Sequence, residues 1–181
     1  MLKNPFQVAV IFAVVALIIK LVVFSLNMQH GDMENYIRYI YMLILLTAVF
    51  FGIRSNKILE KNQTSFMQDF KAGARTAAFF AIIVAAITYV YYAKIDATFF
   101  EIKQAPLLEA LNNQTKEVIN KGVDSKEIIV ENYGNQLFSI RTFLSPYFQA
   151  MWTMFGLVFM GLFNAMVFAL LMKKMPGFKS I

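Results

Sequence analysis

Phe6–Leu26 reads FQVAVIFAVVALIIKLVVFSL, an apolar run interrupted by one charge, Lys20. Wound as an α-helix it is about 31 Å long, which matches a hydrocarbon core of about 30 Å. Lys3 ahead of it gives it the look of a secretion signal, but the run exceeds an apolar signal core and no small-x-small cleavage site follows. It is expected to be a retained span. Three further runs follow at Tyr36–Ile53, Ala72–Ile95 and Pro146–Met172. The expected fold is all-α: a polytopic membrane protein of four transmembrane helices, forming a single membrane domain over residues 1–181.

Composition agrees. The 181 residues are 59% hydrophobic and 15% charged, with mean hydropathy +0.56, whereas soluble domains are about half apolar and a quarter charged. There is no cysteine and one histidine, His30. Disulfides, thiolate metal sites and multi-histidine relays are thereby excluded. No phosphate-binding glycine loop, no Ser-His-Asp set and no intramembrane acidic pair is present. Hence no catalytic residue, cofactor or metal is expected. Asn-Gln-Thr at Asn62 and Asn113 matches the glycosylation pattern too weakly to use. The net charge of +6 points to cytoplasmic flanks, not nucleic acid.

The basic residues set the orientation. Residues 27–35 contain Asp32 and Glu34 but no Lys or Arg, whereas the second connection carries Arg54, Lys57, Lys61, Lys71 and Arg75. The tail adds Lys173, Lys174 and Lys179. Both termini and the second loop are expected in the cytoplasm of a bacterial inner membrane, with the first and third loops outside.

The third loop, Asp96–Thr142, has helical periodicity. Leu107, Leu108, Leu111, Val118 and Ile119 share a face of a helix opened by Pro106 and stopped at Gly122. Asp124 with Glu127 has capping-box spacing for a second helix, along which Ile129, Tyr133, Leu137, Ile140 and Leu144 recur. A helical hairpin with its apolar faces buried is expected, and a disordered loop is the alternative. Before span three, Phe66, Met67 and Phe70 share a face, read either as an interfacial lead-in or as the frayed start of a long helix.

No Asp or Glu falls inside the four runs. Lys20 and Arg38 lie towards the outer ends of spans one and two. They serve either as depth anchors that snorkel outward or pair with Asp32 and Glu34, or as a cationic site for a lipid phosphate headgroup. Ala74, Ala78, Ala81 and Ala85 in span three, and Gly161, Ala165 and Ala169 in span four, recur at helical spacing. They permit close helix contact within the chain or with a partner. Asn164 suits an interhelical hydrogen bond, as do Thr47, Thr76 and Thr88. Tyr89, Tyr91, Tyr92, Phe99 and Phe100, with Tyr147, Phe148 and Trp152, read as an interfacial aromatic belt.

Phe70-Lys71-Ala72-Gly73 leading into a span that ends Tyr91-Tyr92-Ala93-Lys94-Ile95-Asp96, together with Gly52-Ile53-Arg54, resembles a domain-of-unknown-function family of small four-span inner-membrane proteins common in Bacteroidota. The resemblance covers nearly the whole chain and implies the same fold. It transfers no functional residue. Its members are often encoded near a polyprenyl-phosphate glycosyltransferase, which implies a partner of that kind. The expected function is a non-catalytic accessory or scaffold subunit, contacting the bilayer and another membrane protein or a second copy. The alternative is a lipid or small-solute binding or transport protein.

Overall fold

The computed structural model describes residues 4–28, 33–61, 63–122 and 125–174. Its described elements are helices α1 (Pro5–Ser25), α2 (Met33–Leu59), α3 (Phe66–Val90), α4 (Phe99–Lys121), α5 (Lys126–Phe143) and α6 (Pro146–Lys174), with a π-helical turn at Tyr91–Ile95. Four stretches are long and apolar enough to cross a membrane: Pro5–Ser25, Tyr36–Leu59, Phe66–Ile95 and Pro146–Lys173. The protein is therefore an all-helical, multi-pass membrane protein. Two compact units divide the chain. One comprises Met1–Ile87 with Thr153–Ile181, the other Thr88–Trp152.

In the first unit, α1 starts where the Asn4 side chain accepts the Phe6 N–H at 2.7 Å, with Pro5 in the first turn. Its buried residues Ala9, Ala13, Ala16, Lys20 and Val23 alternate four- and three-residue steps, a stripe that suits one facing helix. Ile11, Val14, Ile18 and Val22 on the other side are exposed, as lipid-facing residues of a span should be. The core of the unit joins α1 to Leu45, Ala48, Val49 and Ile53 of α2, Ala77, Phe80, Ala81 and Val84 of α3, and Leu157, Ala165 and Met172 of α6.

The helix α3 begins at Phe66 and runs unbroken to Val90. A reciprocal capping box opens it: Ser65 N–H donates to Gln68 Oε1 at 2.7 Å, and Gln68 N–H donates to Ser65 Oγ at 3.3 Å. The reading of Phe66–Phe70 as the start of a long helix is the one the structure takes, with a cap in place of fraying.

The second unit contains the hairpin of α4 and α5. The helix α4 starts at Phe99, so Pro106 lies inside it and does not open it. Tyr92, Phe99 and Phe100 pack with ring centroids 4.8–5.2 Å apart, and this cluster fixes the earlier start. Pro106 is tolerated on an exposed side, where the carbonyl it leaves unpaired can meet solvent. Gly122 ends α4 in the left-handed conformation at φ 61°. The cap of α5 is Ser125, whose side chain accepts the Ile128 N–H; Asp124 lies outside the described residues. Leu108, Leu111 and Val118 of α4, and Ile129, Tyr133, Leu137, Ile140 and Leu144 of α5, are the shielded positions. Tyr133 donates its hydroxyl proton to Asn112 Oδ1 at 2.9 Å, and Gln104 Nε2 donates to the Leu144 carbonyl at 2.7 Å. The expected burial is only partly met. Among these positions Leu111 alone is buried, while Leu107 and Ile119 are 47% and 57% exposed. Two helices can cover only the stripe between them, and these two residues fall on its edges.

Candidate functional site where α2 meets α3

Glycines set the distance between helices in the four-span unit. A Cβ at Gly52 of α2 would collide with the Thr76 side chain of α3, and one at Gly161 of α6 with the Ala77 Cβ. At Gly73 it would lie 2.8 Å from Ala165 Cβ and 3.0 Å from Ile53 Cδ1. So α3 meets α2 on one side and α6 on the other at near-backbone separation. The small-residue positions separate accordingly. Ala81, Ala85, Gly161, Ala165 and Ala169 are buried, whereas Ala74, Ala78 and Asn164 are half-buried. The buried line of α3 runs through Gly73, Ala77, Ala81 and Ala85, and Ala74 and Ala78 lie one position off it. The Thr47 and Thr76 hydroxyls donate to the Leu43 and Ala72 carbonyls of their own helices, so neither donates across an interface. The Thr88 Oγ1 is buried and has no hydrogen-bond partner.

Extending the buried face of α3 towards its first turn leads from Ala77 through Gly73 to Asp69. The Asp69 carboxylate is only 1% exposed, and its Oδ2 lies 2.8 Å from Lys57 Nζ in the last turn of α2, itself 12% exposed. Lys57 Nζ also donates to Thr64 Oγ1 at 3.0 Å. The carboxylate stands at a helix N-terminus and the ammonium at a helix C-terminus, so each also meets the favourable end of its helix dipole. The helix that carries the third apolar run begins at Phe66, so Asp69 lies in its first turn, just ahead of the acid-free run that starts at Ala72. The run counted from Ala72 excluded it, although the four-residue step Asp69–Gly73–Ala77 points to it.

Two polar atoms here are buried without a partner, Asp69 Oδ1 and Arg54 Nε. Arg54 stands one turn before Lys57 on α2, its side chain half-buried. At the other end of the unit, Lys20 is 6% exposed, in line with the core-facing residues of α1. Arg38 of α2 is exposed. The two are thus presented differently, Lys20 to the bundle and Arg38 to the surroundings. Asp32 and the Glu34 side chain lie outside the described residues. Among the described residues no three His, Cys, Asp or Glu side chains converge as a metal site.

The family described as Protein of unknown function (DUF4199) matches residues 7–174 of the chain. No curated protein and no solved structure matches it.

Proposed function

We infer that this chain, which belongs to the DUF4199 family, is a non-catalytic accessory or scaffold subunit of a larger complex in a bacterial inner membrane. The observation that carries the reading is the close packing of α3 on α2 and α6. Gly52 on Thr76, Gly73 on Ala165 and Gly161 on Ala77 bring the helices together, and Leu45, Ile53, Phe80 and Val84 fill the core beside them, which leaves little room for a solute path between those helices. The buried ion pair Lys57–Asp69 joins two helix ends and acts as a structural clasp. A multi-pass chain built this way offers its outer surface to a partner. On α6, Gly156 is exposed and a Cβ there would meet nothing within 4 Å. A helix-interior glycine costs about 1 kcal/mol relative to alanine, and none of the described residues uses the close approach it permits. Phe155 and Phe159 beside it are 58% and 75% exposed. A partner helix seated at Gly156 would use both, and a polyprenyl-phosphate glycosyltransferase is the kind of partner the family resemblance suggests.

The orientation in this reading places both termini and the α2–α3 connection in the cytoplasm, from the Lys and Arg distribution. Single cysteines at Glu60 and Asn112, both exposed, probed with an impermeant thiol reagent on intact cells, are expected to label at Asn112 only. The accessory role is tested by gentle solubilisation and mass spectrometry. A stoichiometric membrane partner should co-purify and be lost in Gly156→Leu, with melting of the isolated protein unchanged. Solute flux or turnover by the purified protein alone in vesicles would overturn the reading.

A further inference from the structure

Arg54 is a cation of the α2–α3 end without a counterpart among the described residues. Its Nε is buried and unpartnered, and no hydrogen bond or ion pair links the side chain to another described residue. A desolvated guanidinium donor without an acceptor is costly, and a helix that only needed a depth anchor would place the charge outward. The neighbouring cation is already engaged, since Lys57 is bound to Asp69 Oδ2 and Thr64 Oγ1. That pairing also offsets the charge of Asp69, and Glu60, just past the end of α2, is exposed. On α3, Lys71 and Arg75 are exposed and add positive potential. The Ile53 side chain, next to Arg54, packs on the α3 backbone at Gly73, where a Cβ would lie 3.0 Å from Ile53 Cδ1.

Depth identifies the ligand class. Arg54 directly follows the apolar stretch of α2 and lies five residues before its last residue, Leu59, about 7.5 Å along the axis. That is where a span passes from hydrocarbon to headgroups. The acceptor available there at high concentration is a phosphate, whose oxygens fit the planar donor fork of arginine. We propose that Arg54, in the field of Lys71 and Arg75, holds the phosphate of an anionic lipid headgroup where α2 meets α3. This site is separate from any partner surface on α6, and it holds whether or not the accessory reading does.

Native mass spectrometry of the purified protein in neutral detergent, titrated with phosphatidylglycerol or phosphatidylcholine, tests it. Wild type should retain phosphatidylglycerol about tenfold over phosphatidylcholine, in the range expected for one or two cations at a headgroup. Arg54→Gln should bring the ratio to within about twofold, while Lys71→Gln should leave most of it. Free glycerol phosphate at millimolar concentration should not compete. Equal losses in Arg54→Gln and Lys71→Gln would mean diffuse attraction without a site, and would overturn the proposal. An unchanged ratio in Arg54→Gln would overturn it too, and competition by glycerol phosphate would overturn the lipid assignment. If Arg54→Gln does not fold, Arg54→Lys decides. It keeps the charge without the fork and should lose preference at least threefold with unchanged melting; full retention would end the proposal.

Discussion

The four-span unit and the α4–α5 hairpin use the same secondary structure and close their helix seams by opposite means. Between α2, α3 and α6 glycine, alanine and threonine stand at the closest approaches, larger side chains such as Leu45, Phe80 and Val84 fill the core beside them, and many others face outward. Phe155, Phe159 and Phe163 of α6 are all more than half exposed. Between α4 and α5 the contact residues are leucine, isoleucine, valine and tyrosine, with Glu109, Lys116, Glu127 and Lys126 exposed on the outer faces. The difference follows from the solvent. In lipid no hydrophobic drive brings helices together, so proximity of backbones supplies the attraction. In water a stripe of branched side chains is driven into the seam. One chain therefore carries two opposite packing rules.

The largest test concerns the charge pair that the four-span unit contains and the hairpin lacks. The hairpin's Lys121–Glu117 pair spans 4.0 Å with both side chains about 70% exposed. Asp69→Ala leaves Lys57 without its counter-charge in a nearly buried position and should cost about 3–5 kcal/mol, a fall in melting temperature of roughly 10 °C. Adding Lys57→Met should restore most of it. Glu117→Ala should change melting by less than about 1 kcal/mol. If both single variants behave alike, the buried pair does not act as a clasp.

Next in size is Leu111→Ala. Leu111 is 5% exposed and removing it should cost about 2 kcal/mol. Hydrogen exchange should quicken along α4 and α5 while α2 and α3 keep their protection. Loss of protection throughout would show that the two units do not unfold separately.

The sharpest comparison makes one substitution in both regions. Gly161→Ala drives a methyl against Ala77 and should destabilise by about 1–3 kcal/mol. Gly134→Ala in α5 meets nothing within 4 Å and should stabilise by about 0.5–1 kcal/mol. Melting curves of the two variants should move in opposite directions. Shifts of the same sign would contradict the packing described for one of the two helices.

The architecture was legible because length and periodicity are strong signals. The run at Phe6–Leu26 lies within one residue of α1 at either end, and Ile129, Tyr133, Leu137, Ile140 and Leu144 fall on the shielded side of α5. Helix ends were less legible. Asp69 gives no signal in the apolar run that starts at Ala72, whereas Ser65 and Gln68 start the helix earlier by a local cap that hydropathy does not register. Pro106 misplaced the start of α4 because the tertiary contact of Tyr92 with Phe99 and Phe100 outweighs a proline's local preference. The outward position of Lys20 could not be told from an inward one. Its neighbours on both faces of α1 are apolar, and the four-three spacing Ala9–Ala13–Ala16–Lys20–Val23 becomes decisive only once a facing helix is known.

The π-helical turn at Tyr91–Ile95, closed by the Asp96 N–H donating to the Tyr91 carbonyl at 2.9 Å, holds one residue more than an α-turn would. Each residue of a helix advances the side-chain direction by about 100°. That surplus residue resets the angular phase of everything that follows it, so the face counted along α3 through Ala77, Ala81 and Thr88 does not continue by arithmetic past Tyr92. A family member lacking one residue in Tyr91–Ile95 would have an α-turn there and side chains aimed about 100° elsewhere. Any alignment of such chains therefore belongs on either side of that turn, with the length difference placed inside it.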